Sequence, residues 1–354
     1  MAEFVDWDLA ASTAGALGPT GPKVTPAEAA AAVAHLRELA VEASTHVAAY
    51  TGLVPQVAVP PVRIVDRRDW AAINISGMRK VITPLAERLI AKTNRDPGRH
   101  GPLDLVGSKV TGVQAGTVLA YLSGRVLGQY EVFSGHPGQL LLVAPNIVAV
   151  ERKLGADPRD FRLWVCLHEG THQSQFTAVP WLREHFLSEV RAFVDASEVD
   201  AAAVLARVRR GVSALAEAVR NPQSRTSVLD VVQSPAQRAV MDRLTALMTL
   251  VEGHAEMVMD GVGPQVIPSV TAIRERFNRR REASNGLESL IRRLLGVDAK
   301  LRQYAEGRKF VQAVVDRVGM AEFNRVWTSP QTLPTLAELA DPPAWIARVV
   351  PSGG

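Results

Sequence analysis

The chain has 354 residues, 47% of them hydrophobic, 21% charged and only 5% aromatic, with a formal charge of +4. That length can bury a full core, in one large domain or two closely packed ones, and so mild a positive excess singles out no polyanionic partner. The single cysteine, Cys166, excludes an internal disulfide framework and fits a reducing compartment.

The first residues, MAEFVDWDLAAST, carry acids where a secretory signal would carry a basic patch, and no apolar run reaches membrane-spanning length. A cytoplasmic protein without membrane contact is therefore expected. Residues 1–24 read as an extended or loosely packed arm ending in GPTGPKVTP. Thr25-Pro26 is a cap followed by proline at the first helical position, and it starts an Ala-rich helix that stops at Gly52. VPQVAVPPVRIVDR is too rich in proline for a helix and is predicted to be extended. DWAAINISGMRKVITPLAERLIAK returns to helical spacing. GVQAGTVLAYLSGRVLGQYEVF is predicted to be a buried helix whose small residues allow close approach. Leu140 to Val143 reads as a strand beside the next helix, which Asp157-Pro158 caps. Ser234-Pro235 opens another long helix, expected to close at Gly261. NPQSRTSVLDVVQ is the best candidate for a surface excursion, and the prolines of TSPQTLPTLAELADPPAW suggest a tail wrapped over the surface. The chain is thus expected to be mainly α with a small β element. Residues 25–350 are expected to form one domain with an N-terminal helical part (25–135), a metal-site core (136–262) and a C-terminal helical part (263–350).

The chemistry concentrates in CLHEGTHQSQF. Positions i and i+4 of a helix share a face one turn apart, so His168 and His172 can close on one metal ion without bending the backbone. Glu169 is offset around the helix, outside the ligand shell but within reach of a metal-held water. Zinc prefers such ligands. An accidental HExxH is on the order of a per cent for a chain of ordinary usage, and unpaired polar groups in an apolar helix are costly. Gly170 in mid-helix costs about 1 kcal/mol relative to Ala, which a purely structural helix has little cause to accept.

A third ligand is needed. The metzincin pattern would place glycine and histidine where this chain has Gln175 and Ala178, so that class is excluded. LVEGHAEMVMD resembles instead the second-helix segment of gluzincin metallopeptidases. That resemblance implies Glu252 as third ligand and Glu256, one turn later, as the acid that orients a liganding imidazole. His254 is the reserve for the ligand role. The spacing of Leu244, Leu247, Met248, Val251, Ala255 and Met259 puts both acids beside a buried stripe. The gap from His172 to Glu252 is longer than in typical gluzincins and requires an insertion between them.

Together with VDWDLA, DRRDWAAIN, RRLLGVDAKLRQYAEGRKF and SPQTLPTLAELADPPAWIARV, these segments resemble the zincin-like hydrolases of high-GC bacteria, one branch of which is associated with deazaflavin-coenzyme biosynthesis. The resemblance implies a zincin-like core with extra N- and C-terminal helices. The function expected is zinc-dependent hydrolysis of a peptide or small amide, with Glu169 assisting attack by a zinc-bound water. His185 and His254 are candidates for lining the cleft, and Tyr121, Tyr130 and Tyr304 for an oxyanion donor. Two rival readings stand beside this one. The metal could stabilise a non-catalytic scaffold, or the Arg-rich run RERFNRRRE, with Arg279 to Arg281, could bind nucleic acid or another acidic partner. Solvated helix faces paired with glutamate are the commoner use of such runs.

Overall fold

The computed structural model describes residues 5–92, 102–133, 135–196, 234–282 and 297–350. The surface excursion expected around NPQSRTSVLDVVQ lies outside them. The described chain is mainly helical, with one small sheet of three strands. None of its helices is long and apolar enough to cross a membrane.

Chain order begins with α1 (Trp7–Leu17), which corrects the expectation of a loose arm. Asp6 caps it by accepting from Leu9 N, and Trp7, Ala10 and Ala14 are buried. The short apolar face of α1 was hidden by its small residues. Next, α2 (Pro26–Thr51) starts in a full capping box between Thr25 and Glu28 and ends at Gly52, whose φ of 69° only glycine adopts readily. The proline-rich stretch holds β1 (Arg63–Val65), followed by α3 (Arg67–Lys92) and α4 (Pro102–Ser123). The helix predicted over GVQAGTVLAYLSGRVLGQYEVF is therefore too long: its end is β2 (Gly128–Glu131). Then come β3 (Gln139–Val143), α5 (Ala144–Leu154), α6 (Pro158–Ala178) and α7 (Pro180–Asp195).

The sheet order is β1-β3-β2, with β1 parallel and β2 antiparallel to β3. A central strand covered on both faces reads as an unbroken apolar run, which is why QLLLV shows no alternation. Leu142 faces the main core with the motif helix, while Leu141 and Val143 face a second cluster formed with α1, α3 and α4. Successive side chains of one strand thus join two apolar layers.

After the motif helix pair come α8 (Pro235–Val266), α9 (Val270–Glu282) and α10 (Val297–Phe323), the last kinked at Gly319. The expected stop at Gly261 is not one, because α8 runs five residues further. A side-chain carbon there would lie 2.0 Å from the Tyr50 hydroxyl, so Gly261 serves close packing. The chain ends in α11 (Leu336–Ala340) and α12 (Pro342–Val349). This tail is not merely wrapped over the surface. Trp345 is fully buried against Phe310 and Phe323, its indole N–H donating to Thr332 O at 2.9 Å.

Candidate metal centre

Helix α6 is buried over most of its length because it lies between α2, α8 and the sheet. Asp157 caps it, accepting from Asp160 N at 3.0 Å. Its polar motif residues accordingly sit inside the protein. The facing helix α8 is fixed by a close crossing with α10. A side-chain carbon at Gly253 would lie 2.2 Å from Gly307 C, and one at Gly307 would lie 2.0 Å from Thr249 O. Two glycines therefore set the depth at which Glu252 meets α6.

There, His168 Nε2 and His172 Nε2 lie 3.2 Å apart, and Glu252 Oε2 lies 3.5 Å from the first and 3.7 Å from the second. Tetrahedral zinc, with bonds of 2.0–2.2 Å to nitrogen and oxygen, holds its ligand atoms about 3.3–3.6 Å apart. The three atoms match that spacing, and two imidazoles with one carboxylate are a donor set zinc accepts. His168, His172 and Glu252 could therefore hold a divalent ion, and they are the one such group among the described residues.

The tautomer of His172 follows from its surroundings. Gln175 turns its amide nitrogen to Val251 O at 2.9 Å, and a carbonyl can only accept. The other end of that amide, Oε1, then faces His172 Nδ1 at 3.0 Å and must accept from it. The proton of His172 is thereby held at Nδ1, and Nε2 presents its lone pair to the common point. The same Gln175 nitrogen lies 2.9 Å from His254 Nδ1, which accepts. His168 Nδ1 is 3.1 Å from the Met259 sulfur, a weak acceptor that leaves its Nε2 for the ion.

Electrostatics favour positive charge at this point. For His168, burial acts to lower the pKa, but hydrogen bonding to Glu252 and the nearby Glu169, Glu252 and Glu256 carboxylates outweigh it and push it up to about 9. For Glu252, burial acts to raise the pKa, yet the two imidazoles hold it well below the ordinary carboxylate value. Glu169 behaves differently. Burial raises its pKa, which the two histidines only partly offset. A carboxyl lifted in this way is better matched to proton transfer near neutral pH. Gly128, at the start of β2, makes room for it: a side-chain carbon there would lie 2.5 Å from Glu169 Cγ.

Two candidates are corrected. Glu256 orients no imidazole, since its carboxylate lies 3.4 Å from Arg274 Nη2, and Gln175 and Met259 take the two Nδ1 atoms. His254 lines no cleft and joins no ligand group. It is fully buried, stacked on Phe323 and edge-on to Trp327, and burial first, then His172, push its pKa down to about 3. His185 is half-buried against Trp181 on α7. Of the tyrosines, Tyr130 spends its hydroxyl on Pro137 O at 3.0 Å, and Tyr121 OH is buried on α4. Cys166 is buried and its thiol pKa raised by that burial, which suits an inert core residue. The residues that sequence reasoning missed are Gln175, Met259 and Gly128. Gln175 stands three after His172 on the same helix face, so its role was open to inference. Gly128 comes from a distant strand and gave no signal.

Two comparisons with known proteins find similarity over nearly the whole chain. A family described as zincin-like metallopeptidase matches residues 5–346. A crystal structure from Chloroflexus aurantiacus, described as a candidate hydrolase with a novel fold, is similar at 32% identity and a TM-score of 0.69. The match covers 99% of this chain and 100% of that one. No curated protein matches the chain.

Proposed function

Since this chain belongs to the zincin-like metallopeptidase family, we propose that it is a zinc-dependent hydrolase that cleaves a peptide or related amide bond. The observation that carries the reading is the convergence of His168 Nε2, His172 Nε2 and Glu252 Oε2 beside a buried Glu169. Zinc held by these three residues would supply Lewis acidity to the carbonyl under attack and make water a stronger nucleophile. The protein's own part begins with Glu169. Its carboxylate takes a proton from the attacking water and hands it to the leaving amine, a role that burial supports by raising its proton affinity. Gln175 keeps the His172 proton off the ligating nitrogen.

Among the described residues strand β2 pairs with β3 on one side only, and its first residue packs on Glu169. An extended peptide added along that free edge would run past the general base, with main-chain hydrogen bonds holding it. The narrower resemblance, to a high-GC bacterial branch associated with deazaflavin-coenzyme biosynthesis, names no substrate and leaves the reading at the kind of bond cleaved.

The test is metal analysis of the purified protein with a peptide-library digest. Near-stoichiometric zinc and cleavage that falls at least about a hundredfold in Glu169→Gln, with zinc retained, are expected. Absence of zinc binding would end the metal reading. Zinc binding with a digest unchanged by Glu169→Gln would leave a metal-stabilised scaffold.

A further inference from the structure

Away from the metal centre lies a cavity of about 840 Å³ between α2, α5, the end of β1 and the start of α6. None of His168, Glu169, His172 or Glu252 lines it. Its size falls within the range of small-molecule sites, about 300–1,000 Å³. The wall is apolar, with Ala32, Val33, Ile64 and Val148 among its residues. The floor holds a polar network. Arg162 grips Glu151 with two prongs, Nε to Oε2 at 2.9 Å and Nη2 to Oε1 at 2.7 Å, and both side chains are largely buried. The remaining arm of that guanidinium, Nη1, is 3.2 Å from His35 Nδ1.

A guanidinium can only donate, so His35 Nδ1 accepts and the proton of the neutral ring stands at Nε2. Among the described residues no group takes that proton, and His35 lines the cavity. We propose that this cavity binds an apolar small molecule carrying a neutral carbonyl-type acceptor, which His35 Nε2–H recognises. Charge decides against a carboxylate. Glu28, Asp66 and Glu151 line the cavity against two arginines, Arg152 and Arg162, so the lining is net negative. A cation is disfavoured by local pairing and not by net charge, since two of the acids face arginines and the third caps the start of α3. Glu151 is held by Arg162, Glu28 faces Arg152 at 3.5 Å, and Asp66 accepts from Asp69 N at 2.7 Å.

Gly21, Pro22 and Val24, in the segment joining α1 to α2, form one side of the cavity. This segment is tied down by Arg67 Nη1 donating to Pro19 O at 3.0 Å and to Thr20 O, and by Arg152 Nη1 donating to Lys23 O at 3.0 Å. A ligand bound against this segment should add to those ties and protect it.

The experiment is calorimetric titration of the full chain with octanamide, octanoate and octylammonium, run on zinc-loaded and on chelator-treated protein. Octanamide should bind in both with a dissociation constant on the order of 0.1–1 mM for a probe of this size. It should bind at least about tenfold more tightly than either charged analogue, and slow tryptic cleavage after Lys23. His35→Phe, which keeps the volume and removes the donor, should weaken octanamide at least about tenfold. Ala29→Trp fills the cavity from an exposed helix position and should abolish binding, with zinc content unchanged in both variants. Octanoate or octylammonium binding more tightly, affinity indifferent to both substitutions, or no saturation up to the solubility of octanamide would each overturn the proposal. Because the chelator-treated protein gives the same readout, failure of the hydrolase reading would not touch it.

Discussion

Replacing Gly253 by alanine tests whether the α8–α10 crossing sets the metal centre. The added carbon would lie 2.2 Å from Gly307 C and 2.6 Å from Arg308 N, both backbone atoms that no rotamer change can move. Ordinary contact begins near 3.4 Å, so the helices must part by about 1 Å, and overpacking of this kind costs about 1–3 kcal/mol. Rigid backbone on the receiving side argues for the upper figure, and alanine's better helix propensity returns about 1 kcal/mol. A net loss of about 2 kcal/mol is expected, together with weaker zinc binding because Glu252 is the preceding residue. Gly170→Ala is the internal control. Its new carbon meets only Ala43 Cβ, at 3.9 Å, so the substitution should stabilise by up to about 1 kcal/mol. The glycine inside HEGTH is thus not there for want of space. Urea denaturation of chelator-treated protein isolates the packing effect, and competition with a chelating dye reports the metal. A Gly253→Ala protein as stable as wild type, or a Gly170→Ala protein destabilised by as much as Gly253→Ala, would refute the steric reasoning.

Gln175→Leu removes the group that places the His172 proton and leaves the buried Nδ1 atoms of His172 and His254 without their Gln175 partner. Zinc affinity should fall about 10–100-fold and the chelator-treated protein lose about 1–3 kcal/mol, read by dye competition and urea denaturation. Removing zinc should lower stability by about 2.7 kcal/mol relative to protein held at a hundred times its dissociation constant, seen as a shift in the denaturation midpoint. At the tail, burial acts to raise the Glu338 pKa, but hydrogen bonds from Arg348 and Thr335 outweigh it and hold it below its ordinary 4.5. A depressed carboxylate lends stability that is full above the ordinary value and is lost as pH falls below it. The stability gap between wild type and Glu338→Gln should therefore be largest at neutral pH and shrink below about pH 4.5. A gap that widens in acid would contradict the pairing.

What the sequence made legible follows from the range of the signals. Caps are local, so the starts at Thr25, Asp157 and Ser234 are where the side-chain pattern puts them. The strand at Leu140 to Val143 was also open to reading from composition. Glycine is an ambiguous stop signal: Gly52 ends α2 as expected, whereas Gly261 lies inside α8, as Gly253 does, each of the latter two where another element comes too close for a side chain. Such closeness is a tertiary fact. Likewise α1 lacks a broad apolar stripe, and its burial depends on helices that follow it by dozens of residues. At the site, the two histidines and Glu169 share one helix, so their spacing carries their geometry. The partners of the imidazole Nδ1 atoms do not follow from spacing alone. Glu256 is well placed by periodicity, but Arg274, arriving on α9, takes it.

The long interval between His172 and Glu252 need not determine how the two halves meet, because three consecutive residues of α8 settle it. Successive helical residues point about 100° apart, and here each serves a different contact. Val251 offers its carbonyl to Gln175 on α6, Glu252 turns its carboxylate to the histidines, and Gly253 lets α10 press against the backbone. Rotating α8 to improve one contact spoils the others. The register between the helices is therefore over-determined by a hydrogen bond, an electrostatic attraction and a steric fit, which are independent forms of energy. A change in the intervening segment that keeps it long enough to span should leave the three-atom group intact, whereas a one-residue insertion between Val251 and Glu252 would put the Val251 and Glu252 contacts about 100° out of phase and should abolish zinc binding.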